Sequence, residues 1–138
     1  MTRLSVLAGV CALLWGANSV AAAQTVYKCE MTNRDVGRFV SEDFFFTLDA
    51  SKGVGSVYDG IIHAVHGGPI PAKITKRRDD IWRYKWNVND VLTRSGVKIA
   101  LRYSAILNAK TGKVSVSGTV GGLDNDIYGT GRCAVTKR

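Results

Sequence analysis

From residue 25 onward, apolar side chains recur at every second position in short runs, and Gly, Asp and Asn cut the runs apart. Residues 25–31 (TVYKCEM) put Tyr27, Cys29 and Met31 on one face and Lys28 and Glu30 on the other. Residues 81–87 (IWRYKWN) put Trp82, Tyr84 and Trp86 opposite Arg83 and Lys85. Residues 97–108 put Val97, Ile99, Leu101, Tyr103, Ala105 and Leu107 opposite Lys98, Arg102, Ser104 and Asn108. Residues 113–120 set Val114, Val116 and Val120 against Lys113, Ser115, Ser117 and Thr119. A period of two marks half-buried strands. Further strands are expected at 44–49, 55–59, 61–65, 72–78 and 127–135, and 88–96 is expected to be a loop or one helical turn.

No stretch sustains a helical period. Asp49 to Gly53, Asp79-Asp80 and Asn108 to Gly112 read as hairpin turns, with Gly supplying positive φ where needed. The expected fold class is all-β: a single small antiparallel domain of about eight strands. An up-and-down barrel would remove exposed edges, and a two-sheet β-sandwich is the alternative. Gly129, Gly131 and Cys133 share one face of the last strand. The missing side chains predict a bulky neighbour there, with Trp82 and Tyr27 as the candidate rings.

The first 23 residues follow a different rule. Arg3 precedes an apolar run of about twelve residues, and Val20-Ala21-Ala22-Ala23 closes it with small residues. This is the layout of an export signal (1–23), cut after Ala23, with one β domain at 24–138. The run is far shorter than the roughly 20 residues needed to cross a bilayer. Cys11 lies inside the apolar run rather than at its end, which argues against lipid attachment. No later stretch is long and apolar enough to form a transmembrane helix. The expected location is periplasmic or secreted.

Removing the signal changes the cysteine count. Three cysteines become two, Cys29 and Cys133, in the first and last expected strands. An even pair in a small exported domain reads as a disulfide. It would close a loop of about a hundred residues, worth on the order of 4–5 kcal/mol in the chain-entropy description.

Charge adds a candidate surface. The whole chain carries +8, from 19 Lys and Arg against 11 Asp and Glu. Lys73, Lys76, Arg77 and Arg78 precede the Asp79-Asp80 turn, and Arg83 and Lys85 follow it. Paired as a hairpin, they would present one positive patch, extended by Lys98 and Arg102. Such a patch concentrates anionic partners. Trp82, Tyr84 and Trp86 interleave with these cations, as in nucleic-acid binders. Alternation turns the rings away from the charges, however, and export removes nucleic acid as the expected partner. Envelope protein or anionic polymer fits the compartment better. A solvated basic face with no partner is the plain alternative.

Catalytic signals are absent. No GxSxG, HExxH or P-loop occurs. His63 and His66, read as strand residues, would point to opposite faces, so no metal site is expected. Asp124-Asn125-Asp126 lacks the remaining ligands of a calcium loop. No cofactor is expected. The sequence therefore leads to an exported, non-catalytic binding protein, of inhibitor or carrier type. Peripheral attachment to anionic envelope polymers or lipid headgroups is the second reading. An enzyme with an unrecognised site is the third.

Overall fold

The structure, a computed structural model, describes residues 24–34, 39–121 and 126–137. The export signal with Cys11, and the Asp124 and Asn125 positions of the calcium-like triplet, lie outside the described residues. Eight strands are joined in sequence order: β1 (Thr25–Arg34), β2 (Asp43–Asp49), β3 (Val54–Tyr58), β4 (Ile70–Arg78), β5 (Ile81–Leu92), β6 (Lys98–Asn108), β7 (Lys113–Val120) and β8 (Asp126–Lys137). Each pairs antiparallel with its sequence neighbour, and β8 returns to β1. The domain is a closed up-and-down barrel, and the sandwich alternative falls.

Closure follows from the alternation. Every strand buries one side, and a ring of eight leaves no unpaired edge. Cys29 and Cys133 are register partners across the β1–β8 seam, and they form the disulfide. The bridge joins positions 104 residues apart, so it covalently fixes the last pairing needed to close the barrel.

The interior is filled with rings. Phe46 packs edge-on against Tyr84 and Trp86, at centroid separations of 4.9 and 5.9 Å. Trp86 stacks on Tyr103 at 5.2 Å. Such pairs add roughly 0.5–1.5 kcal/mol each beyond the area they bury. The Tyr84 hydroxyl donates to the Thr47 carbonyl at 3.0 Å, and that of Tyr103 to the Phe39 carbonyl at 2.6 Å. Trp82, Tyr84 and Trp86 are thus core residues, as their alternation requires.

Residues 61–65 correct the sequence reading. They belong to α1 (Gly60–His66), a helix that covers one end of the barrel. Asp59 caps it, accepting the Ile62 N–H at 2.8 Å, and Gly67 ends it in the left-handed region at φ 74°. Ile62 is fully buried at the barrel mouth. The packing of Ile61, Ile62 and Val65 on the barrel stabilises a helix too short to persist alone. Asp59 is only 3% exposed and also accepts the Ser41 hydroxyl at 2.9 Å. Burial pushes its carboxyl above the ordinary range, and the two hydrogen bonds oppose that shift in part.

Residues 88–92 are a second correction. β5 runs on to Leu92 through a bulge between Val88 and Val91, where Asp90 has φ 59°. A tight turn then follows, with Gly96 and Val97 bonded back to Thr93. Val97, expected inside, is exposed in that turn. The close neighbours of the β8 glycines also differ from the expected rings. A Cβ at Gly129 would meet Val40 Cγ1 at 3.0 Å and Met31 Cε at 3.2 Å, and one at Gly131 would meet the Glu30 carbonyl. Met31 and Val40 fill the space, and Trp82 and Tyr27 do not.

Candidate functional site: the basic outer wall

Strand pairing decides which of the basic residues share a surface. On β4, Ile70, Ala72 and Ile74 are half-buried, so Lys73 and Thr75 face outward. Lys73 pairs in register with Lys85, and Thr75 with Arg83. Across the next ladder Lys85 pairs with Ser104, Arg83 with Ile106 and Asn87 with Arg102. β7 and β8 extend the rows: Ser104, Ser117 and Tyr128 form one, and Ile106, Ser115 and Thr130 the next. Lys73, Arg83, Lys85 and Arg102 therefore lie together on one outer wall. Neighbouring rows are roughly 7 Å apart along the strands, and neighbouring strands about 4.8 Å apart.

The other four expected patch residues go elsewhere. Lys76 shares the inward parity of Ile74, and its Nζ sits over the Trp82 ring at 5.7 Å. Its charge caps the hairpin end of the barrel core. A bulge between Lys76 and Arg78 takes Arg77 out of the ladder, and Arg78 pairs with Ile81 at the same rim. Lys98 starts β6 beside Leu92, at the opposite end from that rim.

The sequence reading missed three members of the wall. Lys113 and Arg132 are register partners on β7 and β8, and Tyr128 is an outward, exposed ring on β8. Strand parity already turned Lys113 outward, but its grouping with Arg132 and Tyr128 depends on the β7–β8 register.

Two features mark this wall electrostatically. Lys73 faces Lys85 and Lys113 faces Arg132, each a like-charge pair directly across neighbouring strands. Arg132 also faces Glu30 across the β1–β8 ladder, so the Lys73–Lys85 pair is the one with no carboxylate in register. Opposed like charges of this kind destabilise a sheet by a few tenths to about 1 kcal/mol. In addition, β4, β6 and β7 contain no Asp or Glu, β5 none before Asp90 and β8 none after Asp126. Among the described residues the one ion pair is Arg34–Glu42, which involves none of the cations of this wall. Arg83 Nε is buried without an acceptor.

The wall is not flat. Lys85, Arg102 and Tyr128 rise around a floor of Ser104, Ser117 and Gly118, enclosing a trough of about 590 Å³. A second groove of about 440 Å³ runs past Ile81, Ile106, Lys113 and Arg132. At the helix end, an apolar hollow of about 580 Å³ lies between α1 and the β5 bulge, lined by Phe39, Ile61, Val65 and Leu92. All three are open surface features around a core occupied by side chains.

The histidines sit on α1, three residues apart and on neighbouring positions of one helix, so the argument from opposite strand faces does not apply. His63 Nδ1 is bonded to the Tyr58 hydroxyl at 2.7 Å. Among the described residues no group of three or more His, Cys, Asp or Glu is placed to hold a metal. Likewise, no helix there is long and apolar enough to cross a membrane. No protein-family model, curated protein or solved structure matches the chain.

Proposed function

We propose that this is an exported, non-catalytic binding protein that holds an anionic envelope polymer against the outer wall of β4 to β8. The observation that carries this reading is the pairing of like charges there. A fold that sets Lys73 against Lys85, with Ser104 rather than a carboxylate as the next register partner of Lys85, carries a cost that a bound polyanion relieves. The filled interior supports a surface role over a carrier role. A carrier needs an enclosed apolar cavity, whereas Phe46, Tyr84, Trp86 and Tyr103 occupy the space it would use. The Cys29–Cys133 disulfide is compatible with an oxidising compartment, periplasmic or extracellular.

The mechanism is electrostatic. Each cation that meets the polymer releases a condensed counterion, so affinity falls linearly on a log–log scale with salt. By analogy with nucleic acids, four contacts give a slope of roughly −3. The test is retention on an immobilised anionic polysaccharide between low and physiological salt. Replacing Lys73, Arg83, Lys85 and Arg102 with Ser should flatten the slope and abolish retention, with the melting temperature kept. Unchanged retention by the folded variant refutes the assignment.

A further inference from the structure

Charge alone would treat all polyanions alike, but the trough adds a shape and an aromatic surface. We propose that the trough bounded by Lys85, Arg102 and Tyr128 is a subsite for an acidic sugar, with the uronic-acid type as its simplest ligand. This rests on the outer-wall reading and narrows it from polyanions in general to acidic glycans.

Three chemistries meet there. Arg102 and Lys85 bring cations to one side of the trough, where a guanidinium fork can take a carboxylate through two parallel hydrogen bonds. Ser104, Ser117, Thr119 and Asn87 line it with hydroxyl and amide groups suited to ring hydroxyls. Tyr128, 49% exposed, offers an aromatic surface on the opposite side. A pyranose has an apolar C–H face that such a ring can cover, with its hydroxyls left at the edge. A phosphate polymer has charge but no such face.

The floor is held in place from below. A Cβ at Gly118 would meet Tyr103 Cδ1 at 2.9 Å, so the Tyr103 ring lies directly under the glycine. Tyr103 is fixed in turn by its stack on Trp86 and its bond to the Phe39 carbonyl. The Ser117 hydroxyl reaches the Ser104 carbonyl at 3.4 Å. A floor backed by core packing loses little freedom when a ligand settles on it. The trough volume also falls in the range of small-molecule sites, roughly 300–1,000 Å³.

The experiment titrates the disulfide-bonded protein with oligogalacturonate and, separately, with polyphosphate of matched charge. Three variants are compared with the parent: Tyr128→Ala, Tyr128→Phe and Arg102→Gln. Oligogalacturonate should bind the parent more tightly than polyphosphate. Tyr128→Ala should weaken oligogalacturonate by about ten-fold and leave polyphosphate within about two-fold, as the loss of a stacking surface requires. Tyr128→Phe should keep the parent affinity. Arg102→Gln should weaken both ligands. Equal losses of both ligands in Tyr128→Ala, or no loss of either, overturns the sugar subsite and leaves the outer-wall reading standing. Failure of the parent to bind either ligand overturns both.

Discussion

The barrel has two outer walls, and they treat polar groups in opposite ways. On β1 to β3, outward groups find partners within the chain. Thr47 and Ser56 share a hydrogen bond at 2.7 Å, and Phe45 packs against Tyr58 at 6.2 Å. Tyr58 in turn bonds His63, and Asp49 accepts from the Ser51 hydroxyl and from two backbone N–H groups of its own turn. On β4 to β8, Lys73 is set opposite Lys85 and Lys113 opposite Arg132, and carboxylates are confined to Asp90 on β5 and Asp126 on β8. The same strand geometry serves both walls, so the difference lies in the sequence placed on it. A wall whose groups answer one another needs nothing from outside. A wall that accumulates one sign of charge is stable in spite of that choice, and a partner of opposite sign turns the cost into affinity.

The largest expected effect is at the seam where the two walls meet. Replacing Cys29 and Cys133 with Ser leaves the β1–β8 ladder to hold the barrel closed by hydrogen bonds and packing alone. The chain-entropy description puts the loss on the order of 4–5 kcal/mol, as an upper figure. Denaturant midpoints of the parent and the double variant measure it directly. A loss under about 1 kcal/mol would mean that the seam does not depend on the bridge, and that the walls are joined by core packing across the barrel.

Asp59 gives a middle-sized test, since with Asp49 it is one of two buried carboxylates on the self-satisfied side. Its carboxyl caps α1 and accepts from Ser41, near the buried Tyr103 hydroxyl. Burial raises its folded pKa above the unfolded value. Its ionisation penalty is therefore absent below the unfolded pKa and grows as pH rises through the folded pKa. Asp59→Asn keeps an acceptor for the Ile62 N–H and removes the titration. The variant should gain on the parent, in the denaturant-derived stability gap, as pH rises from the acid range through the folded pKa of Asp59. A gap that stays constant with pH would show that the two hydrogen bonds fully offset the cost of burial.

How much of this was legible in the sequence depended on local signals. Where alternation was clean, as in Trp82-Arg83-Tyr84-Lys85-Trp86 and Leu101 to Leu107, strand, face and core were all readable. The disulfide was readable from the count and from its two strands. The helix was missed because Ile61, Ile62 and Val65 over seven residues resemble a short apolar strand. The signals that mark it were present: Asp59 at the N-cap, Gly67 just past the end and Pro69 beyond. The basic residues were named and the grouping of Lys73, Arg83, Lys85 and Arg102 was readable from the hairpin, but the departure of Lys76, Arg77 and Arg78 was not. The bulge between Lys76 and Arg78 changes which side chains share a surface, and no residue type announces it. Lys113, Arg132 and Tyr128 joined the wall only once ladder register was known, because pairing between β7 and β8 is not written in either strand alone.

The smallest expected effect separates the walls most sharply, because stability and binding should move in opposite directions. Lys73→Glu places a carboxylate directly across from Lys85 and turns a repelling pair into an attracting one. Lys73 is exposed, so the change costs little burial. The cross-strand gain should be about 0.5–1 kcal/mol, larger at low salt and fading as salt screens the pair. The same change removes one cation from the wall and adds an anion, so retention on an anionic polysaccharide should fall by about ten-fold at low salt. Thermal melts and retention assays on one preparation read both numbers. A variant that is more stable and binds less identifies the like-charge pair as a cost maintained for binding. A variant that is more stable and binds equally well would show that the partner meets the wall elsewhere, away from the β4–β5 hairpin. A loss of stability would mean that the paired lysines are already well solvated and do not strain the sheet, and the contrast between the walls would then lose its electrostatic basis.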